Sequence, residues 1–308
     1  METPKANYRI TNWKEYNQSL VNRGRLSLWL NETAIKSWGA PKKKKRGRPF
    51  IYSELAIEAA LTVRYALNLT LRGVEGFLTS IFALLALTLP IPDYTLLCKR
   101  GKTAPQSKRP KRVTDIVLDS TGLKVYGEGE WKVKQHGKSK KGKWRKFHIG
   151  INPKTGKLEV EEATKSEVHD SEPGCRLIRS LKSVRNVYGD GAYDTKAFYD
   201  AVKEKGGTVI VPPRKGAVID RNQPATDRNK SIQEILGLGG DELARKLWKI
   251  LRGYHVRSLV ETWISRFKRM LGGSLRSREE RRQEVELKYK AKIMNRMTEL
   301  GMPTSYAI

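Results

Sequence analysis

The chain has 308 residues, with 61 Lys and Arg residues against 32 Asp and Glu residues, a formal net charge of +29. An excess of this size indicates a polyanionic partner, because each phosphate that a protein neutralises releases condensed counterions. At 38% hydrophobic residues the chain can bury a core, which excludes wholesale disorder, and its most apolar stretch, 77–89, is too short to span a bilayer.

The first 50 residues form a basic arm. Residues 1–13 are polar and do not resemble a secretory signal, so we expect a cytoplasmic protein. Residues 42–49, Lys-Lys-Lys-Lys-Arg-Gly-Arg-Pro, contain no apolar side chain and predict an exposed segment. This segment resembles an AT-hook, in which Arg46 and Arg48 would lie along the narrow minor groove of DNA. The alternative is a solvated linker that touches phosphates without sequence preference.

Residues 51–112 predict a small all-α region followed by a basic linker. Apolar residues recur at helical spacing from Ser53, a candidate N-cap, to Leu67, and further helices are expected over 71–87 and 95–99. Short helices joined by tight turns are compatible with a DNA-binding helix-turn-helix. A helical bundle without a role in DNA binding is the alternative. The two cysteines, Cys98 and Cys175, are too far apart to suggest a zinc or disulfide scaffold.

From residue 113 the pattern changes to α/β. Strands are expected over 116–118, 147–151, 158–162, 184–188 and 208–211, with helices over 173–181 and 196–205, a loop-rich stretch over 214–240 and a long helix over 241–271. This order is that of an RNase H-like fold, a mixed five-stranded sheet with helices. We therefore predict a catalytic domain over 113–271, with an insert at 214–240 to which no role is assigned, and a C-terminal basic helix in 272–308.

Three acidic residues occupy positions that this order would bring together. Asp119 is predicted to end the first strand, Asp190 follows the fourth strand, and Glu261 lies in the long helix. Strand ends are where α/β sheets build their sites. Carboxylates hold the hard divalent cations that activate and stabilise the oxygens of a phosphodiester. The alternative is that these residues are ordinary solvated surface charges, and Asp194 is a nearby rival for Asp190.

The long helix carries a motif with fixed spacing. Tyr254, Arg257, Glu261 and Lys268 match the Tyr-x2-Arg-x3-Glu-x6-Lys signature of insertion-sequence transposases of the IS-four and IS-five superfamily. The segments Leu-Asp-Ser-Thr-Gly around Asp119 and Gly-Asp-Gly-Ala-Tyr-Asp around Asp190 also resemble the first and second acidic motifs of that family. The resemblance extends over nearly the whole chain and is closest to the IS-five-like group.

This resemblance implies a bacterial DDE transposase, found in the cytoplasm with the nucleoid. Asp119, Asp190 and Glu261 would bind two Mg²⁺ ions, with Mn²⁺ able to substitute. Arg257 and Lys268 would contact phosphates at the transposon end, and Tyr254 would pack against DNA. For Arg257 an ion pair with a core acid, and for Tyr254 ordinary packing within the protein, are the alternatives.

The implied reaction is cleavage at the inverted-repeat ends of an insertion sequence, followed by strand transfer into target DNA. The partners would be double-stranded DNA and a second copy of the chain in the synaptic complex, with no membrane. Two other functions stay open: an RNase H-like nuclease that does not join strands, and a catalytically inactive DNA-binding regulator derived from a transposase. The DNA-binding N-terminal region argues against the first, and the intact acidic motifs argue against the second.

Overall fold

The computed structural model describes residues 8–41, 47, 49–103, 112–125, 144–222 and 226–307. Arg46 and Arg48 of the AT-hook-like segment lie outside these residues. The chain divides into two compact units: unit 1 comprises Met1–Pro105 and Lys288–Ile308, and unit 2 comprises Gln106–Leu287. Among the helices that the structure describes, none combines the length and the apolar character needed to cross a membrane.

Unit 1 is mainly helical. Its N-terminal part contains α1 (Trp13–Arg23), α2 (Leu26–Trp29), α3 (Glu32–Lys36), α4 (Glu54–Ala66), α5 (Leu71–Leu84) and α6 (Tyr94–Arg100). The predicted helices of the region 51–112 are confirmed as α4, α5 and α6. Ser53 is the N-cap of α4, since its hydroxyl accepts a hydrogen bond from the backbone N–H of Ala56 at 3.1 Å. A two-stranded antiparallel sheet joins β1 (Tyr8–Ile10) to the last strand, at Ser305–Ala307.

Unit 2 is built on one mixed sheet. Its strands are β2 (Val113–Val125), β3 (Trp144–Ile151), β4 (Leu158–Lys165), β5 (Val184–Tyr188), β6 (Thr208–Ile210) and the two-residue β7 (Ser274–Leu275). The first five lie in the order β4-β3-β2-β5-β6, and β7 pairs with β2. The β2–β3 and β3–β4 pairs are antiparallel, whereas β5 and β6 run parallel to β2. This order and these directions are those of an RNase H-like sheet, so the predicted fold class is confirmed.

Helices cover both faces of this sheet. Unit 2 contains α7 (Ser171–Ser180), α8 (Lys196–Lys203), α9 (Asp227–Gly237), α10 (Glu242–Leu251) and α11 (Ser258–Leu271), and α12 (Glu280–Glu299) begins in it. Side chains of α7 and α8 share a buried core with Ile116 and Leu118 of β2. On α11, Phe267 packs against Phe147 of β3, with ring centroids 5.5 Å apart. Since side chains alternate along a strand, the residues that flank Leu118 point away from the α7–α8 core.

The predicted helix over 241–271 is not continuous, which corrects the sequence analysis. It is divided into α10 and α11 by Gly253 and a 3-10 turn, Tyr254–Arg257. Gly253 has φ +61°, a left-handed conformation that ends α10 and that residues other than glycine adopt only with strain. Tyr254 and Arg257 therefore belong to the turn, whereas Glu261 and Lys268 belong to α11.

Two further expectations were wrong. The segment 214–240, predicted to be loop-rich, contains the 11-residue helix α9, whose N-cap is Thr226. Asp119 does not end its strand, because β2 continues to Val125 through its antiparallel pairing with β3. The parallel pairing of β2 with β5, however, ends at Val117. Asp119 thus lies just beyond the parallel part of the sheet, level with the loop that follows β5.

Candidate active site

Asp119 faces the α11 side of the sheet. It pairs with Ile149 on β3, and it is neighboured by Leu118, whose side chain lies in the core on the opposite face. One Asp119 carboxylate oxygen accepts a hydrogen bond from the backbone N–H of Ser120 at 2.8 Å. Its side chain is 17% exposed, so the carboxyl group is largely removed from water but still reachable.

Asp190 lies in the loop after β5 and begins a 3-10 turn, Gly191–Tyr193. Its carboxylate accepts a hydrogen bond from the backbone N–H of Ala192 at 2.9 Å, which fixes the side chain against its own turn. Gly189 allows this turn to pack, because a Cβ there would lie 2.8 Å from the Tyr193 ring. The glycine before Asp190 is thus explained by the close approach of Tyr193.

Glu261 lies in the first turn of α11, one helical turn after Arg257. The Arg257 guanidinium contacts the Glu261 carboxylate at 2.6 Å and lies 3.8 Å from the Asp119 carboxylate. Glu261 is the more open of the two acids, at 55% exposed against 17% for Asp119. Arg257 therefore bridges an acid of the sheet and an acid of the helix, as the ion-pair alternative anticipated.

The three acids interact electrostatically. Burial raises the pKa of Asp119, and the nearby charges of Asp190 and Glu261 raise it further, whereas the Ser120 hydrogen bond and the Arg257 charge lower it. The group is therefore an acidic cluster around one guanidinium. Such mutual repulsion is what a bound cation relieves.

The other two motif residues differ in their surroundings. The Tyr254 hydroxyl donates a hydrogen bond to the carbonyl of Gly189 at 3.0 Å, and its ring packs near that of Trp248. Burial raises the pKa of Tyr254 to about 12, so the hydroxyl stays protonated and continues to donate at neutral pH. Lys268 is exposed and lies seven residues after Glu261, about two helical turns along the same side of α11.

The donor set fits a hard divalent cation, since it consists of carboxylate oxygens and Mg²⁺ prefers oxygen ligands. The Arg257 guanidinium stands where positive charge is needed, between Asp119 and Glu261. Among the residues that the structure describes, no three acidic, histidine or cysteine side chains converge closely enough to form a metal-binding group. The three acids are therefore of the right chemistry for a metal but do not converge on one point in this structure, where Arg257 is the counter-charge of Asp119 and Glu261.

Comparison with known proteins decides the family. Residues 111–296, more than half of the chain, match the family described as a transposase DDE domain. Residues 21–128 match a second family with the same description. The chain belongs to the DDE transposase domain family. A cryo-EM structure of the piggyBac transposase synaptic complex with hairpin DNA is also similar, with a TM-score of 0.44 and 10% sequence identity, and the match covers 94% of this chain and 76% of that chain.

The DDE domain contains contacts that sequence reasoning missed. The hydrogen bond between Tyr254 and Gly189 ties the turn before α11 to the loop that carries Asp190. A second set of contacts connects Asp194 to Arg228, at 3.0 Å. The spacing of Asp194, four residues after Asp190, was visible in the sequence, but its partner lies 34 residues away in a segment without a motif. No local pattern could have joined them.

Proposed function

We propose that this chain is the transposase of a bacterial insertion sequence, of the IS-five-like group within the IS-four and IS-five superfamily. It would cleave DNA at the inverted-repeat ends of its element and transfer the freed strand ends into target DNA. The observation that carries the proposal is the acidic cluster of Asp119, Asp190 and Glu261 around Arg257, in a chain of the DDE family. Fixed-spacing motifs around each acid support it.

In this proposal Asp119, Asp190 and Glu261 hold two Mg²⁺ ions, for which Mn²⁺ can substitute. Bound there, such ions activate the attacking oxygen and stabilise the leaving oxygen of a phosphodiester. Asp119 and Asp190 supply ligands from the sheet and the β5 loop, whose positions are fixed by backbone hydrogen bonds. Glu261 is the most exposed of the three. Its side chain would move when it binds a metal, because its ion pair with Arg257 must then break.

Arg257 and Lys268 would bind DNA phosphates. Arg257 makes one hydrogen bond to Glu261 in this structure, and its guanidinium could bind a phosphate with two, so the exchange would lose no hydrogen bonds. Lys268 is exposed on α11, on the same side of the helix as Glu261. For Tyr254, the hydrogen bond to Gly189 supports the packing alternative over a contact with DNA.

The partners of the proposed enzyme are double-stranded DNA, at the element ends and at the target, and a second copy of the chain in the synaptic complex. The net charge of +29 supports a nucleic-acid partner. Residues 1–50, with Arg46 and Arg48, and the helices of 51–112 would contribute DNA binding, whereas residues 113–271 would contribute catalysis. Such an enzyme acts in the bacterial cytoplasm on the nucleoid, without a membrane.

The test is strand cleavage and joining on labelled DNA that carries the element's own ends. The wild type should nick the ends and join them to target DNA with Mg²⁺ but not with a chelator. Glu261→Gln should lose both steps and still bind DNA. Glu242→Gln, a matched change of an exposed acid on α10, should behave as the wild type. If the wild type binds the ends and never cuts them, the regulator alternative replaces the proposal.

A further inference from the structure

Asp194 is a buried carboxylate with three donors. Its side chain is 1% exposed, and it accepts hydrogen bonds from the Arg228 guanidinium at 3.0 Å and from the backbone N–H of Arg214 at 3.1 Å. The Tyr199 hydroxyl is a third donor, at 3.3 Å. Burying a carboxylate has a large desolvation cost, which these three hydrogen bonds offset.

The position of Asp194 links this pair to the acidic cluster. Asp194 directly follows the 3-10 turn Gly191–Tyr193, whose first residue is capped by Asp190. Its backbone N–H donates to the carbonyl of Gly191 at 3.3 Å, and that of Tyr193 donates to the carbonyl of Asp190 at 3.0 Å. Asp190 and Asp194 therefore lie at the two ends of one hydrogen-bonded turn.

Two of the three donors to Asp194, Arg214 and Arg228, come from the segment between β6 and α10. Arg228 also donates to the carbonyl of Val218 at 3.0 Å, and the Arg214 side chain donates to the carbonyl of Gly191 at 3.4 Å. At the start of this segment, the carbonyl of Pro213 accepts a hydrogen bond from the Arg245 guanidinium of α10 at 2.7 Å. The segment is thus bonded both to itself and to the turn that carries Asp190.

The helix that carries Arg228 is itself attached to the sheet. Asp227, at the start of α9, accepts a hydrogen bond from the backbone N–H of Val209 at 2.9 Å. Ile235 of α9 packs with Ile210 of β6 and with Trp248 of α10 in a separate buried cluster. Because α9 is anchored on the sheet, the backbone that carries Arg228 is held in place beside Asp194.

We infer that Arg228 and Asp194 are positioning residues for Asp190, and that the segment 214–240 acts as the support of the second acid of the DDE site. Arg228 holds Asp194, Asp194 holds the end of the turn, and the turn fixes the direction of the Asp190 carboxylate. This inference rests on the proposed function, in which Asp190 is a metal ligand. It assigns a role to a segment that has no motif of its own.

The test measures Mn²⁺ binding to the full chain without DNA, by calorimetry and by the electron paramagnetic resonance signal of free Mn²⁺. Arg228→Gln should raise the Kd for Mn²⁺ by about 10-fold to 100-fold, the usual effect of losing a residue that orients a metal ligand. Arg228→Lys, which keeps the charge, should recover part of the loss. Arg221→Gln, a matched change of an exposed arginine in the same segment, should leave the Kd unchanged.

End cleavage is measured on the same variants as a function of Mg²⁺ concentration. The inference predicts a higher half-saturating Mg²⁺ for Arg228→Gln and for Asp194→Asn, with DNA affinity unchanged. If Arg228→Gln does not fold, Arg228→Lys is the deciding variant. A wild-type Kd in folded Arg228 variants overturns the inference alone, whereas Mn²⁺ binding that survives Asp190→Asn, or a wild type that does not cut, overturns the proposed function.

Discussion

At the scale of single residues, the charge balance of the acidic cluster depends on Arg257. Its guanidinium contacts Glu261 at 2.6 Å and lies 3.8 Å from Asp119, where it lowers the pKa of a carboxyl group that burial and two neighbouring acids raise. A divalent cation bound by the same acids would provide the same compensation. In the proposed function, arginine and metal would therefore be alternative counter-charges for the same acids.

This exchange can be measured by unfolding. Without divalent ions, Arg257→Gln should lower the free energy of unfolding by roughly 1 kcal/mol, the upper range for a partly exposed ion pair. Addition of Mg²⁺ should restore most of this loss, because the cation then neutralises Asp119 and Glu261. Arg252→Gln is the control, since the partner of Arg252 is Glu234, which is not one of the three acids of the site. A loss that Mg²⁺ restores equally in both variants would contradict the exchange.

A second residue gives a prediction about pH. His148 is fully buried, and its Nε2 lies 2.8 Å from the Thr164 hydroxyl, which itself donates to a backbone carbonyl. Because that hydroxyl already donates, Nε2 is the donor in this contact. Burial lowers the pKa of His148 from 6.5 to about 4, although the nearby charge of Asp170 opposes the shift. Because the unfolded chain binds this proton first, folding stability falls as pH drops from about 6.5 to about 4.

Over that pH window the protonation of His148 lowers the free energy of unfolding by about 3 kcal/mol in total, from the size of the pKa shift. His148→Gln should remove this part of the slope, measured as the free energy of unfolding across the same pH window. His169→Gln, a change of an exposed histidine, should leave it. Equal slopes in the wild type and in His148→Gln would show that His148 is not buried as a neutral ring.

The residues of the acidic cluster were predictable from the sequence, but their arrangement was not. Spacing within motifs identified Asp119, Asp190 and Glu261 as candidates. The bridge from Arg257 to Asp119 joins residues 138 positions apart. It depends on α11 packing on one particular face of β2, which no local pattern specifies.

At the scale of elements, the break between α10 and α11 sets the geometry of the site. Gly253 adopts φ +61°, and its Cβ position would meet only the His255 ring, at 3.9 Å. A side chain would therefore fit in the space, and any destabilisation would come from the left-handed backbone conformation. The break lets Tyr254 turn back to donate to the carbonyl of Gly189.

Gly253→Ala should lower the free energy of unfolding by about 1 kcal/mol, the strain of a left-handed alanine. Gly253→Asn should lose less, because asparagine tolerates this conformation better. Gly273→Ala is the control, since its φ is not left-handed and no atom lies near its Cβ position. Chemical denaturation measures all three, and a neutral Gly253→Ala would show that the break does not depend on the glycine.

The elements that the sequence predicted are those with strong local patterns. Alternating or continuous apolar residues marked the strands, and Ser53 marked the start of α4. The break at Gly253 was missed because apolar residues recur at helical spacing on both sides of it. α9 was missed because its surroundings are polar and glycine-rich, and its buried apolar residues are limited to Ile232 and Ile235.

At the scale of the whole molecule, the net charge of +29 dominates the expected behaviour toward DNA. Each phosphate that a basic side chain contacts adds about 0.9 to the slope of log affinity against log salt. Replacing both Arg46 and Arg48 with alanine should therefore make the slope shallower by about 2. Binding is measured on AT-rich and GC-rich duplexes at several salt concentrations.

The control for this experiment replaces two exposed lysines of unit 2, Lys182 and Lys203, with alanine. A larger loss on AT-rich DNA than on GC-rich DNA in the Arg46 and Arg48 variant would support the minor-groove interpretation of the segment. A uniform loss would support the solvated linker. An unchanged slope would contradict both interpretations.

The central claim is that the three acids hold the divalent cations that carry out the reaction, and replacing one ligand oxygen by sulfur tests it most directly. Mn²⁺ accepts a thiolate more readily than the harder Mg²⁺ does. Asp190→Cys should therefore fail to cleave element ends with Mg²⁺ and regain cleavage with Mn²⁺, whereas Asp190→Asn should stay inactive with both. Cleavage by Asp190→Cys that is equal with the two metals, or by Asp190→Asn at the wild-type rate, would contradict the account.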